Sequence, residues 1–176
     1  MPDDSPSSPA PDVAGLLARL DQLGVRYDRH DHAAVFTCDE AERTVPAEVV
    51  AAHTKNLFLR DQKGRRHWLV VTDCAKQVDL KALAPLIGAD KLGLASPERL
   101  LRFLGVTPGS VTVLGLVNDR DRAVELVVDR DVWEAERWRA HPLVNTATLI
   151  LERSGVEAFL AATGHTPRIV AVPSRA

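Results

Sequence analysis

Apolar and polar positions along the chain change period several times, and each change marks an element. Val13, Leu16, Leu17 and Leu20 fall on one helical face between Asp12, a good N-cap, and Gly24, a natural stop. Residues 25–27 read as a short strand, and residues 39–50 have helical composition interrupted by Pro46. From His53 the pattern becomes that of a β-hairpin. Residues 53–61 and 67–72 are rich in branched and aromatic apolar side chains, and a polar turn with Gly64 separates them. Strand alternation puts Lys55, Leu57 and Leu59 on one face, and Asn56, Phe58 and Arg60 on the other.

Helical spacing returns with Leu80, Leu83, Leu86 and Ile87, which end at Gly88, and residues 91–95 read as a short strand. Ser96 then caps a helix that begins at Pro97, turns Leu100, Leu101 and Leu104 inward and stops at Gly105. In residues 106–119 turn formers alternate with branched residues. Residues 124–129 alternate as a strand that pairs back through the 118–122 turn. A strand at 146–151, a helix at 154–163 ending at Gly164, and a strand at 168–172 follow. The intermixing predicts a mixed α/β (α+β) fold: a mixed, largely antiparallel sheet flanked by helices. Residues 1–11, which are Pro, Ser and Asp with almost nothing to bury, are expected to form a disordered tail on a single domain at 12–176.

Composition narrows the functional classes. The 45% apolar and 26% charged residues are those of an ordinary globular domain. A net charge of −2 argues against indiscriminate binding of duplex DNA. Local basic clusters remain for a short nucleic-acid end: Lys63, Arg65 and Arg66 in the hairpin turn, and Arg120 and Arg122 in the later one. No stretch is long and apolar enough for a bilayer, and no signal peptide is visible, so a cytoplasmic location is expected. Cys38 and Cys74 form no CxxC and are read as reduced thiols. His30 and His32 invite a metal, but no third ligand stands at a telling spacing, and no metal or other cofactor is expected.

The sequence contains no GxSxG, Walker loop, GxGxxG or HExxH motif. What remains is Lys55-Asn56 at the start of a strand, a glycine-punctuated segment from Gly109 to Gly115, and His141 before Pro142. Lys55 reads either as a rim residue whose stem snorkels to water or as an anion anchor. Loop glycines usually serve turns, though they also let backbone N–H groups face a developing oxyanion.

Five stretches occur in the order of a known family: His32 with Val35-Phe36-Thr37, the run His53 to Leu59, the run Leu104 to Thr112, Gly115 to Asp119, and His141 to Thr148. The chain resembles the freestanding prolyl-tRNA editing proteins. These are relatives of the editing insertion domain of bacterial prolyl-tRNA synthetase and of the YbaK-type deacylases. The resemblance spans residues 13–172 and is nearest to the branch that clears alanine from proline tRNA. One departure is that Gly109 is followed four residues later by Val113, where much of the superfamily has the proline of a GxxxP loop. That difference bears on the acyl group accepted.

The resemblance implies hydrolysis of the ester linking a wrong amino acid to the terminal ribose. The partners it implies are the acceptor end of proline tRNA and the prolyl-tRNA synthetase. In the family the ribose hydroxyl is thought to help activate the water. By resemblance, Lys55, Asn56, His141, Gly109 and Gly115 would be catalytic. Lys55 and Asn56 would hold the terminal phosphate or polarise the ester, backbone N–H groups of residues 109–115 would face the carbonyl, and His141 would orient the aminoacyl group. His32, Val35, Phe36, Thr54, Ser110, Val113 and Asn145 would bind substrate. The same reaction on cysteinyl- or seryl-tRNA, and a non-catalytic module that binds aminoacyl-tRNA or a synthetase, are the alternatives.

Overall fold

The structure, a computed structural model, describes residues 12–176, so the expected tail lies outside the described residues. Its elements are α1 (Val13–Gln22), β1 (Tyr27–Asp31), α2 (Cys38–Glu42), β2 (Thr54–Asp61), β3 (His67–Asp73), α3 (Leu80–Leu86), β4 (Leu92–Leu94), α4 (Pro97–Leu104), a 3-10 helix (Val113–Asn118), β5 (Val124–Asp129), α5 (Arg130–Glu134), β6 (Arg137–Ala140), β7 (Ala147–Glu152), α6 (Arg153–Thr163) and β8 (Arg168–Val170). They form an antiparallel sheet ordered β1-β7-β6 and a mixed sheet ordered β4-β2-β3-β5-β8. The mixed α/β class expected from the pattern is the one found.

Capping follows the sequence closely. The side chains of Asp12, Asp79 and Ser96 accept from Gly15, Ala82 and Arg99, and Gly105 and Gly164 close α4 and α6 in the left-handed region. The hairpin alternates as read. Phe58 enters the larger core with Leu69, Val71 and the inner residues of α1, α4 and α6. Leu59 enters the second core, on the other face, with Trp68, Leu83 and Ile87, and Leu57 packs against it. Leu86 and Leu101 depart from expectation and are exposed, because each lies about 100° around its helix from a fully inward neighbour.

Strand β5 corrects the predicted pairing. It runs parallel to both β3 and β8 instead of folding back on the 106–119 segment. Within that segment Val113–Asn118 form a 3-10 helix whose first four residues are buried, and the turn after it is organised by Asp119. The Asp119 carboxylate accepts from the Ala123 and Val124 N–H groups at 3.0 and 2.8 Å and pairs with His165 at 2.8 Å. The helical stretch at 39–50 shrinks to α2, well before Pro46, and the first strand begins at Tyr27.

The two sheets meet at a seam. The Ala52 N–H donates to the Arg137 carbonyl at 2.8 Å, the Arg139 N–H donates to Ala52 at 3.0 Å, and the Thr54 hydroxyl donates to the Arg139 carbonyl at 2.7 Å. The start of β2 therefore lies beside the end of β6.

Candidate active site

The seam brings together residues far apart in sequence. Lys55 and Asn56 open β2, and His141 follows β6 directly, so these three share one cleft of about 190 Å³. Val35, Phe36, Ala41 and Gly109 supply its apolar side. Behind it lies a recess of about 30 Å³ lined by His53, Thr54, Asn56, Arg139, His141 and Thr148, large enough for a water molecule. Asn56 Oδ1 and the Arg139 Nε and Nη1 atoms are buried without a hydrogen-bond partner among the described residues. Buried polar atoms normally find partners, so these donors and this acceptor are groups that a water or substrate would satisfy.

Lys55 shares its face with Leu57 and Leu59, and its ammonium donates to the Lys76 carbonyl. An ammonium has three donors, so this contact orients it and leaves two for a ligand. Burial lowers its pKa, opposed by the nearby Asp73 carboxylate. His141 donates from Nδ1 to the Ala147 carbonyl at 2.9 Å, which leaves Nε2 as an acceptor when the ring is neutral. Burial is the main cause lowering its pKa, and the His32 and His53 rings add to it. His32 is fixed between the Ala33 carbonyl and the Thr148 hydroxyl, both at 2.8 Å, with its ring centroid 6.3 Å from that of His141.

The glycine-punctuated segment divides. Gly109 borders the cleft in a turn closed by the Ser110 N–H to the Thr107 carbonyl at 3.0 Å. Its φ of +91° is one that side chains rarely adopt, and an added Cβ would meet the Phe36 ring at 3.2 Å. Gly115 does not reach the cleft. Its N–H is used by the Thr112 carbonyl at 3.0 Å, and its α-carbon packs against Leu104. Val113 and Ser110 are likewise buried and do not line the cleft. Asn145 acts indirectly, donating to the Val35 carbonyl at 2.9 Å while Val35 N–H returns a bond at 3.2 Å. Thr54 lines both spaces through a side chain already engaged at the seam.

The cysteines are not the separate reduced thiols expected. Cys38 and Cys74 form a disulfide with Cα atoms 5.8 Å apart, and both border the cleft. Spacing could not reveal this, because the contact depends on α2 docking against the far end of the hairpin. Arg139, Glu42 and His53 were also missed as site residues. His53 Nδ1 lies 2.5 Å from Glu42 Oε2, and Arg139 Nη1 lies 3.5 Å from the same oxygen. The alternation of Arg137-Trp138-Arg139-Ala140 was the available signal, in a stretch to which the pattern assigned no element.

Similarity to known proteins agrees with this picture. The aminoacyl-tRNA editing domain profile matches residues 32–159. The prolyl-tRNA editing protein ProX of Acetoanaerobium sticklandii is 40% identical over 151 residues, spanning 86% of this chain and 92% of the relative. The prolyl-tRNA synthetase associated domain-containing protein 1 of Xenopus laevis is 38% identical over 159 residues, spanning 88% and 94%. A crystal structure of a proposed trans-editing enzyme for prolyl-tRNA synthetase superposes with a TM-score of 0.69 at 22% identity, covering 96% of this chain and all of the other, and it supports the fold. The chain belongs to the aminoacyl-tRNA editing domain family.

Proposed function

We propose that this protein hydrolyses the ester of mischarged proline tRNA, with alanine as the acyl group removed. The observation that carries the reading is the convergence of Lys55, Asn56 and His141 on one small cleft, in a chain whose relative is named a prolyl-tRNA editing protein. Ester hydrolysis needs a positioned water and donors for the oxyanion. The recess behind Asn56 and His141 offers the water a place, with the unpaired Asn56 Oδ1 as its acceptor. Lys55 has donors to spare for the ester or the terminal phosphate, and as a compact charge it suits either. Gly109 lets the backbone of its turn approach the carbonyl closely. Phe36, 72% exposed at the rim, gives the terminal base a face to stack on. The water attacks the carbonyl carbon, the tetrahedral intermediate expels the ribose oxygen, and the proton lost by the water ends on that oxygen.

Selectivity follows from size. A synthetase discriminates against a smaller amino acid by only ~1–3 kcal/mol through binding, so a second, restrictive site is needed. Alanine's methyl group fits between Val35, Phe36 and Ala41, whereas the proline ring overpacks them, at a cost of roughly 1–3 kcal/mol. The experiment compares alanyl-, seryl-, cysteinyl- and prolyl-esters on the same tRNA, with chelator present. Rapid loss of alanine, slower loss of serine and near-complete retention of proline are expected. A preference for cysteine would move the protein to that substrate, and tRNA binding without hydrolysis of any ester would make it a binding module.

A further inference from the structure

Beside the cleft, three metal-binding residue types converge on rigid positions. His53 precedes β2 and Cys74 follows β3, and the Cys74 N–H donates to the His53 carbonyl at 2.9 Å, which continues the hairpin ladder by one step. Cys38 opens α2, which docks over that end of the hairpin. Both sulfurs and one ring nitrogen of His53 lie within 4.8 Å of one another. Three such ligands on one soft cation would stand about 3.5–3.8 Å apart, from Zn–S near 2.3 Å and Zn–N near 2.0–2.1 Å in a tetrahedron. Joined as a disulfide the two sulfurs stand closer than that, so the cluster reaches the size a metal requires once the bond is reduced and the thiols part.

We propose that Cys38, Cys74 and His53 form a site for a thiophilic divalent cation, zinc in the first instance, whenever the disulfide is reduced. The disulfide and the metal are alternative links between α2 and the β2–β3 hairpin. A dithiol reductant supplies two electrons and two protons, the S–S bond breaks, and two thiols form. Binding of the cation then releases both thiol protons, and two thiolates and a neutral imidazole become ligands. Soft sulfur donors with one imidazole select zinc over magnesium or calcium.

The state of His53 agrees with this role. One nitrogen, Nδ1, is held by Glu42 at 2.5 Å, while Nε2 is buried with no hydrogen-bond partner among the described residues. A carboxylate bound to one ring nitrogen is the usual second partner of a metal-bound histidine. Both cysteines border the cleft, so reductant and cation reach them from that side. The site does not depend on the ester reaction, and its test does not read it.

The full-length protein is reduced anaerobically, freed of reductant and titrated with cobalt(II). The expected result is one equivalent bound, with a thiolate-to-cobalt charge-transfer band and the d–d bands of tetrahedral coordination, all lost when zinc is added. The oxidised protein should give no band. One equivalent of zinc should also protect both thiols of the reduced protein from a disulfide-exchange reagent. Cys38→Ser, Cys74→Ser and His53→Gln should each weaken cobalt binding by more than ~10–100-fold, the range reached by changing only an outer partner. Two freely reactive thiols with no cobalt band would overturn the proposal. So would a band that survives either serine substitution. If the variants fail to fold, the comparison of oxidised and reduced wild type decides alone.

Discussion

Lys55 shows how one residue is given a task by its surroundings. At the end of an apolar row a lysine can simply snorkel, and Lys55 partly does, since its stem continues the face of Leu57 and Leu59. Its ammonium, however, is half-buried against the Lys76 carbonyl at the edge of the cleft, and burial already lowers its pKa. A charge held there is placed for an anionic or polarised ligand. Lys55→Ala should lower single-turnover deacylation by roughly 10²-fold or more, the loss that follows removal of an oxyanion donor. Lys55→Arg should restore little, because a planar fork does not reproduce a compact ammonium with three donors. Unchanged turnover of Lys55→Ala, with the thermal midpoint also unchanged, would remove Lys55 from the chemistry.

Among the elements, the turn around Gly109 ties a single backbone position to the wall of the cleft. Its left-handed φ disfavours any side chain, and the Phe36 ring and Asn145 amide close off the space where a Cβ would go, at 3.2 and 3.4 Å. Gly109→Ala should destabilise the protein by about 1–3 kcal/mol and displace Phe36, so deacylation should fall more than stability does. Chemical denaturation beside single-turnover rates measures both. Gly115→Ala should act on the core instead, through contact with Leu104, and leave the rate per folded molecule unchanged.

This division marks how far the sequence could be read. Capped helices and the hairpin were legible because their signals are local: a side chain three residues from its N–H partner, or a period of two. The Lys55, Asn56 and His141 set was legible through family resemblance. Hidden were features set by packing between distant segments. β5 pairs with strands distant in sequence, β6 lies in a stretch to which the pattern gave no element, and the Cys38–Cys74 link requires α2 to dock.

At the scale of the whole molecule, strand direction separates the basic clusters from the cleft. Lys55 faces Thr72 across the hairpin, whereas His67, at the other end of β3, is level with Val124. Lys63, Arg65 and Arg66, with Arg120 and Arg122, therefore gather at the end of the sheet remote from Lys55, roughly 20 Å away along β2 at ~3.3 Å per residue. Arg66 is also committed to Glu125, at 2.9 and 3.0 Å, and to the Gly88 carbonyl. Neutralising Lys63 and Arg65 should leave the salt dependence of tRNA binding unchanged, while Lys55→Ala should reduce its slope by about one. A slope flattened by one to two units in the cluster variant would extend the tRNA contact to the far end. Stability against acid is likewise a property of the whole fold. His53, His67 and His141 all have pKa values lowered from 6.5, chiefly by burial, and Arg99 adds to the effect at His67. When unfolded, each takes up a proton as pH falls through its ordinary value, while the folded protein does not. The unfolded state then binds more protons, and stability must decline as pH drops below about 6.5, until the folded-state values are reached. His67 is the cleanest probe, because its ring packs in a triangle with those of Phe58 and Phe103, with centroids 5.6 and 4.3 Å away, and lies outside the cleft. The thermal midpoint should be flat from about pH 8 to about pH 7 and fall toward about pH 5. His67→Gln, which cannot titrate, should shallow that fall even if its midpoint at neutral pH is lower. An equally steep fall in His67→Gln would assign the acid sensitivity to the other histidines and the carboxylates.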